Sequence, residues 1–286
     1  MNKICIGTAN FGGGYGIRGN GLRISNLEFE SIFSVANTSG IGFIDTAISY
    51  QGSESIVGNC KNRNFEIITK LPPLPSNVAI DSWVRNEIHG SLSRLNRDHL
   101  YGLLLHHPSD LIGKQGEALF RIIQDLKNQG IVRKLGISIY ETSELDLLFS
   151  KFDFDIVQAP FNLFDRSIHE SGWLSRLEQS GVEFHARSLF LQGMLFLKLD
   201  ELPLYLSNFR TEFSKLGNWL IESRQSLVEA SIRHVLSYKG ISLIVVGISS
   251  AGQLAEIAEA ASKPPARAPQ DLLSRDVRLI NPKSWK

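Results

Sequence analysis

Eight short apolar runs, each closed by a polar residue or a glycine, constrain this chain more than any other feature of its sequence. Residues 3–6 end at Gly7-Thr8, 41–44 at Asp45, 65–69 at Lys70, 103–105 at His106, 135–137 at Ser138, 155–157 at Gln158, 183–186 at Arg187-Ser188 and 243–246 at Gly247. Runs this short and this apolar read as strands buried on both faces. Between them, apolar residues recur at helical spacing over 27–38, 80–95, 117–128, 143–149, 173–179, 216–236 and 253–261, while the link at 53–57 is short for a helix. Eight strands alternating with helices in 286 residues is the rhythm of a (β/α)8 barrel, a fold that commonly needs about 250 residues. Polar residues at the carboxyl ends of its strands then gather on one face. Side by side at about 4.8 Å, the strands that end at Asp45, Lys70 and His106 span only about 10 Å. Tyr50 lies five residues past Asp45, in the loop that follows the first of them.

No Ser-, Gly- or Pro-rich linker divides the chain, so the barrel is expected to be a single domain over 1–286, with 262–286 as a short strap that Pro264, Pro265 and Pro269 keep irregular. Hydrophobic residues make up 43% and charged ones 21%, enough apolar content for a sizeable core. The net charge is +1 and no basic run exceeds two residues, which argues against a nucleic-acid or membrane partner. Neither a leader-like segment nor a spanning stretch is visible, and a cytoplasmic location is expected. Cys5 and Cys60 lack metal-ligand spacing. His106 and His107 are neighbours on a strand and point to opposite faces, so a metal site is not expected.

Gly14-Tyr15-Gly16-Ile17-Arg18-Gly19 fits G-x-G-x-x-G. A dinucleotide fingerprint of that kind must open a helix directly. Here no helical period begins before about Asn26, so the glycines read as a loop over the barrel mouth. The chain has no P-loop, no zinc-protease pair and no nucleophile elbow.

Several segments taken in order resemble the aldo-keto reductases. Asp45-Thr46-Ala47-Ile48-Ser49-Tyr50-Gln51-Gly52-Ser53-Glu54 is similar to that family's Asp-Thr-Ala-x-x-Tyr-Gly-x-Ser-Glu, Thr69-Lys70 to its Thr-Lys strand end, and Leu104-Leu105-His106-His107-Pro108 to its Leu-His-x-Pro. The segments 130–138 and 158–162 continue the likeness. Residues 7–12, 161–166 and 187–193 resemble a bacterial branch that accompanies polysaccharide and sugar-nucleotide metabolism. Reduction of a carbonyl needs a hydride that no side chain supplies, and therefore a nicotinamide cofactor, NADPH or NADH. It also needs an acid near working pH, for which a free tyrosine at about 10 is too weak. The resemblance makes Tyr50 the proton donor, Lys70 its activator, Asp45 the partner of Lys70, and His106 the group that orients or polarises the carbonyl of a small-molecule substrate.

For the cofactor the resemblance implies Gly7 and Thr8 at the first strand end, Ser138 and Gln158 against the carboxamide, Arg187 facing the nicotinamide ring and Ser188 near the pyrophosphate. It adds Gly247, Ser249, Ser250 and Gln253 around the final strand. The chain departs from the family at Arg187, where many members carry an aromatic, and at Ile139, where many carry Asn. It departs again at Gly247, Gln253 and Ile257, where many NADPH users carry Lys, Arg and Asn, and weak discrimination between NADPH and NADH is expected. The competing readings are a non-catalytic nucleotide-binding or regulatory barrel and a Schiff-base aldolase using Lys70. The short tail implies an open pocket suited to a sugar or sugar nucleotide. Oligomeric state has no signature in the sequence.

Overall fold

The eight runs close into a parallel barrel in chain order, β1 to β8, each strand paired with its sequence neighbours and β8 returning to β1. The structure, a computed structural model, describes residues 2–13, 24–60 and 64–285. The strands are β1 (Ile4–Gly7), β2 (Phe43–Asp45), β3 (Glu66–Leu71), β4 (Leu100–Leu105), β5 (Val132–Ser138), β6 (Ile156–Pro160), β7 (Glu183–Arg187) and β8 (Ile241–Gly247). The helices of the outer ring are α1 (Asn26–Thr38), α2 (Ser53–Gly58), α3 (Ile80–Leu95), α4 (Gly116–Asn128), α5 (Ser143–Leu148), α6 (Ser167–Glu170), α7 (Trp173–Gln179), α8 (Arg210–Ser223), α9 (Leu227–Leu236) and α10 (Ala251–Ser262). A tail with one short helix, α11 (Val277–Ile280), and 3-10 turns follows.

Side chains alternate along each strand, so one set points into the barrel and the other meets the helices. Ile4, Ile6, Ile44, Ile67 and Leu103 belong to the large outer core, whereas Cys5, Phe43, Ile68, Leu104, Ile156, Leu243 and Val245 fill the interior. Gly136 must stay bare, because a Cβ there would lie 2.4 Å from Ile156 O. Below this apolar layer a polar plug fills the amino-terminal end of the barrel. Glu183 accepts from Tyr101 at 2.7 Å and from Lys134 at 2.5 Å, with the buried His185 at 3.1 Å.

One expected element splits. The helical period over 216–236 is two helices, α8 and α9, because Arg224 turns left-handed with φ 54° and Ser226 caps a new start by accepting from Glu229 N. Apolar spacing carried across the break and concealed it. The link at 53–57 is a true helix one residue longer, entered through Gly52 at φ 67°. The glycine segment 14–19 lies outside the described residues.

Candidate active site

The strand parity that fills the interior also builds the site. Two residues beyond each interior apolar position, on the same face, stands a residue at the carboxyl-end rim: Gly7 after Cys5, Asp45 after Phe43, Lys70 after Ile68, His106 after Leu104, Gln158 after Ile156 and Gly247 after Val245. Register aligns them, with Gly7 opposite Asp45 and Ser138 opposite Gln158. The loops after β1 and β2 lock together because Gly12 lets the backbones touch, a Cβ there falling 1.8 Å from Gln51 O. Ser53 Oγ also donates to Thr8 O at 2.9 Å.

Lys70 and Asp45 are both buried and pair at 2.5 Å, and Lys70 donates again to Thr46 O at 2.8 Å. The second carboxylate oxygen of Asp45 accepts from Gln158 Nε2 at 2.7 Å. Gln158 Oε1 in turn accepts from Ser138 Oγ at 3.2 Å. Because an ionised carboxylate can only accept, the Gln158 amide has one sensible orientation here. The Lys70 ammonium lies 5.4 Å from the centre of the Tyr50 ring, and the His106 ring stands edge-on to that ring at 5.9 Å. The structure thus brings Asp45, Tyr50, Lys70, His106, Ser138 and Gln158 together.

Tyr50 differs from the sequence expectation in one respect. Its phenol is pushed above its ordinary value, first by burial and then by the Asp45 carboxylate, with Arg187 opposing. The Lys70 charge is engaged by the Asp45 carboxylate and by Thr46 O. His106 moves the other way, pulled down to about 3 by burial, then by Lys70, Arg187, His107 and Lys283. Its Nδ1 lies 3.4 Å from Ser49 Oγ.

Arg187, at the end of β7, reaches across the mouth. It donates to Ile139 O at 2.7 Å and to Ser188 Oγ at 3.1 Å, and its guanidinium lies 4.2 Å from the centre of the Tyr140 ring. The loop that follows is held in unusual backbone, with Ser188 at φ 59° and Gln192 at φ 54°. At the amino terminus of α10, Ser250 Oγ caps Gln253 N at 3.2 Å. Gln253 Oε1 accepts from Ser249 N and Oγ at 2.8 and 3.1 Å. Buried polar atoms are nearly always paired. Yet among the described residues the Thr8 and Thr46 hydroxyls and Asn10 Oδ1 have no partner within the protein, a set that suits a polar ligand laid across β1, β2 and β8.

The sequence model of the Aldo/keto reductase family matches residues 3–267. The chain belongs to the aldo/keto reductase family. It is accordingly an NAD(P)-dependent oxidoreductase of the carbonyl-reductase type. It is 27% identical over 255 residues to the uncharacterized oxidoreductase YqkF of Bacillus subtilis, covering 81% of each chain. It is 24% identical to the aldo-keto reductase YhdN of the same organism, covering 77% of this chain and 74% of that protein. The holo form of the aldo-keto reductase AKR11C1 from Bacillus halodurans superposes with a TM-score of 0.74 at 20% identity, covering 96% of this chain and 95% of that one, a likeness of fold.

Four contributors escaped the sequence reading. Thr46 serves through its carbonyl, which no side-chain pattern marks. Glu54, conspicuous in the resemblance, is buried and accepts from Thr69 at 2.8 Å, Ser91 at 2.6 Å and Arg94 at 2.8 Å, bracing the strand that carries Lys70. Tyr140 and Lys283 meet at the mouth from distant segments. The 161–166 motif, by contrast, is architectural: Arg166 is buried and ties the tail down by donating to Pro269 O at 2.8 Å.

Proposed function

We propose that this reductase converts a small-molecule aldehyde or ketone to an alcohol, with Tyr50 delivering the proton to the carbonyl oxygen. The observation that carries the reading is the convergence of Tyr50, His106 and the buried Lys70–Asp45 pair at adjacent strand ends of one barrel. A nicotinamide cofactor supplies the hydride when bound. Ser138 and Gln158 would hold its carboxamide, Arg187 would face its ring, Gly7, Thr8 and Ser188 would hold its middle, and Gly247, Ser249, Ser250 and Gln253 its adenosine end.

The proton chemistry belongs to the chain. Burial and Asp45 keep Tyr50 in the protonated form needed by a donor in reduction. The phenolate left after transfer faces Lys70 and Arg187, so the charge that develops is met by two cations already in place. His106, kept neutral near pH 7, accepts from the Ser49 hydroxyl at Nδ1 in the tautomer that carries its proton on Nε2, a donor suited to a carbonyl oxygen. Asp45 and Thr46 O both accept from the Lys70 side chain, which ties it down away from the free nucleophile that Schiff-base chemistry needs.

The test is a titration of the full chain with NADPH and NADH, followed by a panel of simple aldehydes, ketones, aldoses and sugar nucleotides. Saturable binding of a cofactor and its carbonyl-dependent oxidation are expected. Cofactor binding with no turnover of any carbonyl would favour a regulatory barrel.

A further inference from the structure

Tyr140, two residues past Ser138, carries a cation from each of two distant segments. The Arg187 guanidinium lies 4.2 Å from its ring centre, and so does the Lys283 ammonium, which arrives from the tail. Twice that distance bounds the separation of the two charges. Among the described residues neither forms an ion pair with a carboxylate, whereas Lys263, Arg275 and Arg278 of the tail segment each do. Like charges gathered without a counter-ion repel. Both cations also bear on His106, whose pKa each of them lowers. A positive wall therefore flanks the side of the mouth where the carbonyl would be held.

We propose that the substrate carries an anionic group, carboxylate or phosphate, beside its carbonyl, and that Lys283, with Arg187 on the same Tyr140 ring, receives it. The inference rests on the carbonyl-reductase reading above. The stack on Tyr140 holds the lysine in place before the ligand arrives, so little of its side-chain freedom remains to be lost on binding. A charge-assisted contact of this kind favours the anion by about tenfold or more over a neutral isostere.

The test measures binding rather than turnover, so that failure of the reductase reading appears separately as absent cofactor oxidation. Dissociation constants of 4-carboxybenzaldehyde and 4-formylbenzamide, and of glyceraldehyde 3-phosphate and glyceraldehyde, are measured on the full chain with saturating NAD+, which cannot deliver hydride to an aldehyde, and NADH oxidation is followed in a separate assay. In at least one pair the anion binds about tenfold more tightly. Lys283→Met, which keeps the stem over the ring, abolishes that ratio; Lys283→Glu inverts it; Lys283→Arg retains it. Melting temperatures of the variants show whether the lysine merely pins the tail, in which case stability falls while the ratio stays. That result overturns the proposal. So do equal constants within both pairs in the wild type, or a Lys283→Met variant that loses affinity for NADH while the ratio is unchanged.

Discussion

Gln158 Nε2 donates to Asp45 Oδ2 at 2.7 Å, joining the β6 residue proposed above to hold the cofactor carboxamide to the carboxylate that holds Lys70. Both are buried, so the bond cannot be exchanged for water. Gln158→Leu strands one Asp45 oxygen, which costs about 1–3 kcal/mol. A fall in melting temperature of several degrees is expected, together with weakened cofactor binding. Unchanged stability and unchanged cofactor affinity would show the bond to be incidental.

Tyr50→Phe keeps the ring between Lys70 and His106 and removes only the hydroxyl. Carbonyl reduction should fall by at least about a hundredfold, the ordinary worth of a positioned acid, while the dissociation constant for the cofactor changes no more than a few-fold. Steady-state rates and fluorescence titration check this. A variant that reduces carbonyls at near wild-type rate assigns the proton to another donor.

Lys70→Met leaves Asp45 buried without its cation, and breaking such a pair costs about 3–5 kcal/mol. Asp45→Asn in that background removes the orphaned charge and should recover part of the loss in urea unfolding, with no recovery of turnover. If the double variant is as unstable as the sum of the singles, the two residues are not coupled in the way their 2.5 Å contact implies.

His234 is fully buried on α9, accepts from Ala268 N at 2.9 Å, and is pulled down to about 3, by burial first and then by Arg166, Arg267 and His169. Its unfolded value is about 6.5, so between those two pH values the unfolded chain binds a proton that the native chain refuses. Stability is then full above about pH 6.5 and declines as pH falls, with a slope approaching 1.4 kcal/mol per pH unit for this one group. His234→Gln should remove about that much slope between pH 6 and 4, measured by urea unfolding at each pH. Parallel curves for the two proteins would show that His234 protonates without disturbing the fold.

The barrel and the core of its site are legible because both follow one rule, alternation along a strand. An apolar residue two positions before Asp45, Lys70, His106 or Gln158 sets which way each of them points, and chain order sets which are neighbours. The rest depends on encounters that no local pattern encodes. Lys283 reaches Tyr140 only because Arg166 and its partners fold the tail back over the barrel. The break at Arg224 is hidden because apolar spacing continues across it. The direction of the Tyr50 shift needed the burial and the exact partners of Lys70, which the motif alone does not supply.

Glu28 changes the expectation for cofactor choice. Ser25-x-x-Glu28 reads as a capping box, and Ser25 Oγ does accept from Glu28 N at 3.2 Å. The Glu28 carboxylate, however, leaves its own helix and accepts from Ala251 N at 2.5 Å, at the amino terminus of α10. In barrels the loops after the last strands and the start of the helix that follows are a frequent phosphate site. A carboxylate seated there neutralises the helix dipole and repels a 2′-phosphate, while it can accept from a ribose hydroxyl. Gln253, whose oxygen accepts from Ser249, offers only a neutral amide donor and brings no charge to offset the carboxylate. The wild type is therefore expected to bind NADH more tightly than NADPH, beyond the weak discrimination suggested by the missing Lys and Arg alone. Interactions with a helix terminus are worth about 0.3–2 kcal/mol, so Glu28→Gln should raise NADPH affinity by about three- to tenfold and leave NADH within twofold. Tryptophan fluorescence titration of both nucleotides measures it. A ratio of NADPH to NADH affinity that is the same in Glu28→Gln and wild type would show that the carboxylate turns away from the helix when the nucleotide arrives.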